Sequence, residues 1–569
     1  MVLAMLALTG AAGANTSLGT CGAAATAIAQ VQGAGMVSPL VGARVVVEAV
    51  VTATYPELKG FYLMAPDDEQ DRDPTTSEGV FIHAPGSSPT VGERLRVAGR
   101  VEEFHGLTQI KASARRPCGR GGTVTPVALA LPFANAAARE ALEGMLVSVQ
   151  QPLTVSDNHE LARYGSVTLS GERLFAPTQI AAPGSEARAL SDANALNRLV
   201  LDDAAYTRDP RPLPYPAVRK GDRTAPLQAI LSYGFDQWRL QPVGEIRWRR
   251  VNPRPPAPAN VADGRLRVAA FNLLNYFNGD GQGGGFPTPR GAADAQALRR
   301  QQAKLVAAIR ALDADVVGIT EIENDGYGRD SAIARLSQAL GRTWRYVDPG
   351  TQRLGGDAIA VGLLYRADRV AEAGIAATTD QGTFGHGRNR QPLAQTFRPR
   401  QGDTTVTVVV NHFKSKGGCP AKGPDRDHGD GQGCWNAQRV AAAERLWRWL
   451  REDPTGAGHD RVLVVGDLNS YAREDPITTL RDAGMVDLIR RFQGDRAYGY
   501  SYRGEAGYLD HALATPALTD QVEAARHWPI NADEPPLFGY RERGFYRADP
   551  YRSSDHDPVL VDLLVAGDW

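Results

Sequence analysis

Between residues 265 and 565 short apolar runs alternate with amphipathic stretches, and nearly every apolar run stops on polar or acidic residues. "RLRVAAFNLLNYF" (265–277), "DVVGITEIEND" (315–325), "AIAVGLLYR" (358–366), "TVTVVVNHFKSKG" (405–417) and "RVLVVGDLNS" (461–470) read as buried strands. "DAQALRRQQAKLVAAIRALDA" (294–314) and "NAQRVAAAERLWRWLRE" (436–452) carry apolar residues at helical spacing. Strands alternating with helices restrict this half to an α/β fold. In open α/β sheets the C-terminal edge of the strands is where sites form, although packed sandwiches use either edge. One strand ending on an aspartate is a solvated turn; six such ends are a site.

Those ends supply Asn272, Glu321, Tyr365, His412, Asp467 with Asn469, Asp510 in "GYLDHALA", and Asp555 with His556 in "SSDHDP". Hard oxygen donors with two histidines and no cysteine suit Mg²⁺ or Mn²⁺ better than a structural zinc. Such an ion takes one or two carboxylates and a substrate phosphate. Phosphoryl transfer also needs a base for the attacking water and cationic or hydrogen-bonding partners for the charged oxygens. The set contains both.

Taken in order, Asn272 in "FNLLNYF", Glu321 in "ITEIEND", His412 in "NHFKSKG", then "GDLN", "LDHAL" and "SDHDP" resemble the motifs of the endonuclease/exonuclease/phosphatase superfamily, which includes deoxyribonuclease I and the exonuclease III type apurinic endonucleases. The resemblance spans the whole second half, and it implies a sandwich of two mixed β-sheets flanked by helices. Carried over residue by residue, it implies that Glu321 holds the divalent metal, with Asn272 and Asp555 in its shell. Asp467, positioned by Asn469, would orient or deprotonate the attacking water. His556 would hydrogen-bond the scissile phosphate, with Asp510 fixing its tautomer and raising its pKa. His412 would sit opposite, as a second phosphate partner or as proton donor to the leaving oxygen. Tyr365 corresponds to a phosphate-contacting tyrosine and Arg390 in "RNRQP" to a phosphate-clamping arginine, with Arg388 as the alternative; Asp357 has no counterpart. The cysteine-bracketed "GGCPAKGPDRDHGDGQGCWN" (417–436), with a β-rich half ahead of it, is similar to secreted bacterial nucleases of that superfamily, which implies a DNA substrate and leaves RNA open.

The rest of the chain bounds this reading. At 569 residues it exceeds one hydrophobic core. Its 63 basic and 64 acidic residues nearly cancel, so anion binding must come from local cations or a metal. "VNPRPPAPANVADG" (251–264) reads as an interdomain linker, and residues 265–569 as the catalytic domain. Ahead of the linker, "ARVVVEAVVTATY", "KGFYLMAP", "EGVFIHAP" and "ERLRVAGRVEEFHGLTQIKA" are strand-like runs separated by Gly and Pro, which predict a small barrel of the OB type over 15–122. Residues 221–243 echo 92–110, so 123–250 are expected to hold a second β-rich, OB-like module. In such barrels Tyr55, Phe61, Tyr62 and Phe104 either stack bases or fill the core, and core packing is the commoner fate.

"MVLAMLALTGAAGANTS", with Ala12-Gly13-Ala14, has the apolar run and small-x-small site of a signal segment over residues 1–14, though it lacks a basic start. Of three connectivities for four cysteines, Cys21 with Cys118 and Cys419 with Cys434 is the simplest. Disulfides and a leader agree on export, to the medium or the periplasm. Asp425, Asp427 and Asp430 lie in the second cysteine loop and are read either as a Ca²⁺ site or as an ordinary solvated loop. Histidines other than 412 and 556 read as surface or turn residues. No apolar run is long enough to span a bilayer. Two further readings stand beside a nuclease: a phosphodiesterase or phosphatase of the same superfamily acting on phospholipid or phosphoinositide, and a catalytically inactive nucleic-acid-binding protein. The intact set of His412, Asp467, Asp510 and His556 argues against the second.

Overall fold

The structure, a computed structural model, describes residues 18–279, 285–288, 290–385, 389–402, 404–541 and 544–565. The expected leader, residues 1–14, lies outside the described residues.

The first β-rich segment contains β1 (Arg44–Tyr55), β2 (Gly60–Met64), β3 (Gly79–His83), β4 (Glu93–Phe104) and β5 (Leu107–Arg120). They close into a barrel in the order β1-β2-β3-β5-β4, with β3 and β5 parallel and the other pairs antiparallel. Strand alternation decides the interior: Val47, Leu63, Ile82, Val97 and Ile110 point inward and are fully buried. The disulfide Cys21–Cys118 ties the preceding segment to β5. Phe61 and Tyr62 are buried, Tyr55 is half-buried, and of the four expected platform aromatics only Phe104 is exposed.

The second segment forms a nine-stranded sheet. Within it β6 (Leu146–Val149), β7 (Thr154–Asp157), β8 (Val167–Ser170), β9 (Arg198–Leu201), β10 (Leu227–Gly234) and β11 (Gln237–Pro242) follow the order β7-β8-β9-β11-β10-β6. Only four residues separate β6 from β7. Taken as one interrupted strand, they give the same succession as the first barrel, including a parallel pairing of third and fifth strands. The two segments that echo in sequence become the hairpins β4–β5 and β10–β11, at the same place in each order. The segments are joined by the Tyr62 hydroxyl, 2.7 Å from Ser232 Oγ, and by Tyr55, whose hydroxyl donates to the Gln241 carbonyl at 3.0 Å.

Residues 251–264 have no regular structure but are tied down along their length. Trp528 Nε1 donates to the Pro256 carbonyl at 2.8 Å, the Tyr551 hydroxyl to Pro255 at 2.7 Å, and Arg267 to Ala259 at 2.7 Å. The expected linker is therefore a strap laid on the second half.

That half is built on two six-stranded mixed sheets. One contains β12 (Arg265–Tyr276), β13 (Val316–Glu323), β14 (Ile359–Arg366) and β18 (Val559–Leu564); the other contains β15 (Val406–His412), β16 (Val462–Asp467) and β17 (Asp510–Ala514). The pairs β12/β13 and β15/β16 are parallel, whereas β14, β17 and β18 run antiparallel to their neighbours. The sheets face each other across one core. Gly318 of β13 has no side chain because a Cβ there would press on Val410 and Val465 of the opposite sheet. Helix α1 (Ala295–Leu312) begins at Asp294, whose carboxylate accepts the Ala297 N–H at 2.7 Å, and buries Leu305, Ala308, Ile309 and Leu312 at the spacing of one helical face. Helix α2 (Asn436–Leu450) covers the other sheet with Ala442, Ala443, Leu446 and Leu450.

Candidate active site

The C-terminal ends of β12, β13, β15 and β16 meet the N-terminal ends of β17 and β18 at one edge of the sandwich. In register, Asp467 at the end of β16 lies opposite His412 on one side and Asp510 on the other. Gly466 makes this approach possible: with φ of 117°, its Cβ would stand 2.3 Å from the Asn411 carbonyl.

Register breaks occur in β12 between Asn272 and Tyr276 and in β13 between Ile319 and Ile322. Such bulges turn a side chain out of the pleat. Leu274, Asn275 and Glu321 accordingly hold left-handed φ values of 56°, 53° and 59°. Non-glycine residues keep that conformation only where surrounding contacts impose it. Here Asn275 supplies them, donating to Glu321 Oε2 from its backbone N–H at 2.9 Å and its Nδ2 at 2.7 Å. The Asn272 amide nitrogen bridges Glu321 Oε1 and Asp467 Oδ2, both at 3.2 Å, while its oxygen accepts the Leu274 N–H at 2.9 Å. Asn272 thus holds together the two carboxylates beside which the metal was expected.

Ligand atoms of Glu321, His412 and Asp467 lie within 4.8 Å of one another. His412 Nε2 stands 3.6 Å from Asp467 Oδ2, too far for a hydrogen bond. The other carboxylate oxygen of Asp467 accepts the Asn469 N–H at 2.8 Å. Asn469 acts on Asp467 through its backbone, since its side chain donates to the Phe413 carbonyl at 3.1 Å. That carbonyl also accepts from Arg390 at 3.0 Å, and Arg390 pairs with Asp357 at 3.1 Å. Asp357 was left without a role by sequence; it orients the buried guanidinium and also faces Arg290 at 3.5 Å. Arg388 lies outside the described residues.

On the opposite wall His556 Nδ1 and Asp510 Oδ2 are 2.5 Å apart, both buried. Burial alone would lower the His556 pKa, but Asp510 and Asp555 outweigh it and hold the value well above 6.5. His412 goes the other way: burial, then the charges of Arg390 and His556, push it well below 6.5. One histidine is an imidazolium at neutral pH, the other a neutral ring. Burial raises Asp467 to about 7, with Asp510 and Glu321 adding to it and His556 opposing. Burial raises Glu321 as well, reinforced by Asp555. The Tyr500 ring lies on His556 with centroids 4.5 Å apart, a contact no sequence signal announced.

Two expected placements fail. Tyr365 opposes Val316, at the start of β13, and so sits at the far edge of the sheet from Glu321. Its ring packs on Phe397, and burial with Glu372 pushes its hydroxyl up to about 12. The reason is direction: β14 is antiparallel, so its C-terminal end faces away. Asp425, Asp427 and Asp430 do not converge. Asp425 accepts the Gln438 N–H at 3.0 Å, Asp427 the Gly429 N–H at 2.8 Å and Asp430 the Gln432 N–H at 2.9 Å, which is the bonding of an ordinary loop. His511 and His527, expected at the surface, are buried behind the site against Tyr508. The Cys419–Cys434 disulfide closes the loop after β15.

A family model described as the Endonuclease/Exonuclease/phosphatase family matches residues 269–556, just over half of the chain. The chain belongs to that family. Its members are typically hydrolases of phosphodiester or phosphate bonds and generally depend on a divalent metal. The donor set here fits one: carboxylate oxygens of Glu321 and Asp467 and a ring nitrogen of His412 lie close enough together for one ion. Glu321 and Asp467 would hold such an ion through oxygen, with His412 beside them.

No curated protein matches the chain in sequence. An endonuclease/exonuclease/phosphatase family protein from Bacteroides thetaiotaomicron is 15% identical, covering 52% of this chain and 97% of its own, with a TM-score of 0.37. TDP2 of D. rerio, solved with single strand DNA product, is 13% identical over 53% of this chain and 99% of its own, with a TM-score of 0.34. The 3' phosphatase NExo from Neisseria, bound to product DNA hairpin, is 14% identical over 53% of this chain and 100% of its own, with a TM-score of 0.32. Among the described residues no helix is long and apolar enough to cross a membrane.

Proposed function

We propose that this protein is an exported, divalent-metal-dependent nuclease that hydrolyses phosphodiester bonds of DNA outside the cytoplasm. The observation that carries the reading is the buried His556–Asp510 pair facing the Glu321 and Asp467 carboxylates across one cleft. An imidazolium on one wall and acidic ligands on the other suit a reaction in which charge builds on phosphate oxygens. A divalent ion, when bound, supplies Lewis acidity and neutralises phosphate charge.

Asp467, fixed by the Asn469 N–H, orients the attacking water and takes its proton. Asp510 binds the Nδ1–H of His556, which leaves the Nε2–H to donate to a non-bridging phosphate oxygen as its charge grows. Neutral His412 is a second hydrogen-bond partner of the phosphate on the opposite side, the leaving oxygen takes its proton from solvent as its bond to phosphorus breaks, and Arg390, held by Asp357, adds a fixed positive charge. Tyr500 limits rotation of the His556 ring. The two five-strand successions ahead of the catalytic half support an assignment of both to the OB type, a fold used to hold nucleic-acid strands. The two disulfides and the apolar leader support export.

Digestion of circular plasmid, linear duplex and single-stranded DNA, with Mg²⁺ or Mn²⁺ and with EDTA, tests the assignment. Metal-dependent loss of the circle that Asp467→Asn abolishes is expected of an endonuclease, and loss of linear forms alone of an exonuclease. Absence of any DNA cleavage in either metal would refute the reading.

A further inference from the structure

Four neighbouring strands of the N-terminal barrel carry basic or titratable side chains directly opposite one another. Arg44 on β1 pairs in register with Arg100 on β4, Arg100 with Lys111 on β5, and Lys111 with His83 on β3. Cross-strand partners project to the same face. The next residues along, Val101 and Ile110, are fully buried in the barrel, so this row points outward. Arg44, Arg100 and Lys111 are exposed and His83 is half-buried.

Among the described residues none of these four side chains makes an ion pair or hydrogen bond. The contrast with another row of the same face is direct: Arg96, opposite Glu48, pairs with it at 2.9 Å, and Arg94 joins them at 2.9 Å. Glu102, two residues beyond Arg100 on the same face, forms no ion pair with it. Like charges set directly opposite each other destabilise a sheet, so this row carries an uncompensated repulsion in the free protein. Phe104, four residues from Arg100 and on the same face, is 52% exposed. Neighbouring strands are about 4.8 Å apart, so the row runs for about 14 Å around the barrel wall, over four of its five strands.

We propose that this row is a track for the phosphate backbone of a nucleic-acid strand, with Phe104 at its edge offering a ring for a base to stack on. It holds substrate on the barrel while the cleft of the second half acts on it. The identity of the polyanion rests on the nuclease reading; the track itself does not.

Binding of labelled single-stranded and duplex DNA to the full chain, in EDTA so that the DNA survives, is followed from 50 to 300 mM salt. Each phosphate contact contributes about −0.7 to the slope of log K against log salt for single strands, and about −0.9 for duplex. Arg44→Gln/Arg100→Gln/Lys111→Gln is expected to flatten the single-strand slope by about 2. Arg329→Gln, an exposed arginine elsewhere, serves as control, and melting curves establish that the triple variant is folded. An unchanged slope in the folded triple variant overturns the track. So does a wild-type protein that ignores DNA but binds phosphatidylserine vesicles through the same residues. If DNA is held with a slope that depends on the row but is never cut with Mg²⁺, the track stands and the nuclease reading falls. If DNA is cut and the slope ignores the row, the reverse holds.

Discussion

Asp510→Asn tests the electrostatic core of the mechanism while preserving shape. In the wild type, burial disfavours the imidazolium of His556, and the carboxylate of Asp510 at 2.5 Å, helped by Asp555, overrides it. With a neutral amide in place of Asp510 the burial remains and its main counterweight is gone. Breaking a buried ion pair in this way typically costs about 3–5 kcal/mol. Here the cost is relieved by loss of one His556 proton, so at neutral pH the positive charge beside the phosphate is gone. With the amide oxygen of the Asp510→Asn side chain accepting from Nδ1–H, the remaining proton sits on the nitrogen away from the phosphate. Removing one donor aimed at developing oxygen charge typically costs about 10²–10³-fold, or about 3–4 kcal/mol of transition-state stabilisation at 1.36 kcal/mol per tenfold. Turnover at pH 7 is therefore expected to fall by about that factor. The sign with pH follows: a raised pKa keeps His556 charged until the pH passes that value, so its loss sets the alkaline limb of wild-type activity, while protonation of Asp467, raised to about 7, sets the acid limb. In the variant the alkaline decline moves to lower pH and the pH range of activity narrows. The assay is kcat/KM against pH on a fluorogenic oligonucleotide at saturating metal, with imidazole ¹⁵N shifts of His556 as an independent readout. A variant whose alkaline limb coincides with that of the wild type, or whose rate at pH 7 stays within threefold, would refute the assignment of Asp510.

Three other outcomes are expected. Asp467→Asn should abolish turnover, because an amide cannot take the proton of the attacking water, although Asn469 N–H still finds an oxygen and the new NH2 is set against Asn272 Nδ2; a folded variant with wild-type turnover removes Asp467 from the reaction. Reduction should lower stability: the 15-residue Cys419–Cys434 loop is worth about 3 kcal/mol and the 97-residue Cys21–Cys118 loop about 4.7 kcal/mol in the chain-entropy model, and an unchanged urea midpoint under reductant would contradict this. Acid should remove the stability contributed by His527, which is buried as a neutral ring. Buried His527 is lowered from 6.5 to about 4, so the unfolded chain binds more protons between those values, and stability present above pH 6.5 is lost toward pH 4, by about 3 kcal/mol. Urea unfolding of His527→Gln at pH 7 and pH 5 should show a smaller pH difference than the wild type, and an equal difference would exclude His527 as the cause.

Much of the site was legible because its residues sit in short local motifs at strand ends. His412, Asp467 and Asn469 follow apolar runs directly, and Asp510 and His556 carry their neighbours with them. What failed had a common cause. Tyr365 ends an apolar run like the others, but strand direction is absent from the run itself and is settled only by the neighbours β14 pairs with. His511 and His527 look like ordinary polar positions, and only packing against Tyr508 buries them. Asn275 and Tyr500 act through contacts with Glu321 and His556 that arise from a bulge and from a hairpin remote in sequence. In the second β module β6 and β7 are short strands four residues apart, where the first barrel has the single long β1, so its strand pattern is harder to read.

The amino-acid sequence by itself determined the β-rich character of the first half, the α/β character of the second and the chemical character of the site, because periodicity, turn residues and donor types are local properties. Tertiary structure decided which strand ends face one another, which histidine keeps its proton, and which of the barrel's charges remain unpaired. Those depend on strand direction, register and burial, which are set by distances between residues far apart in the chain.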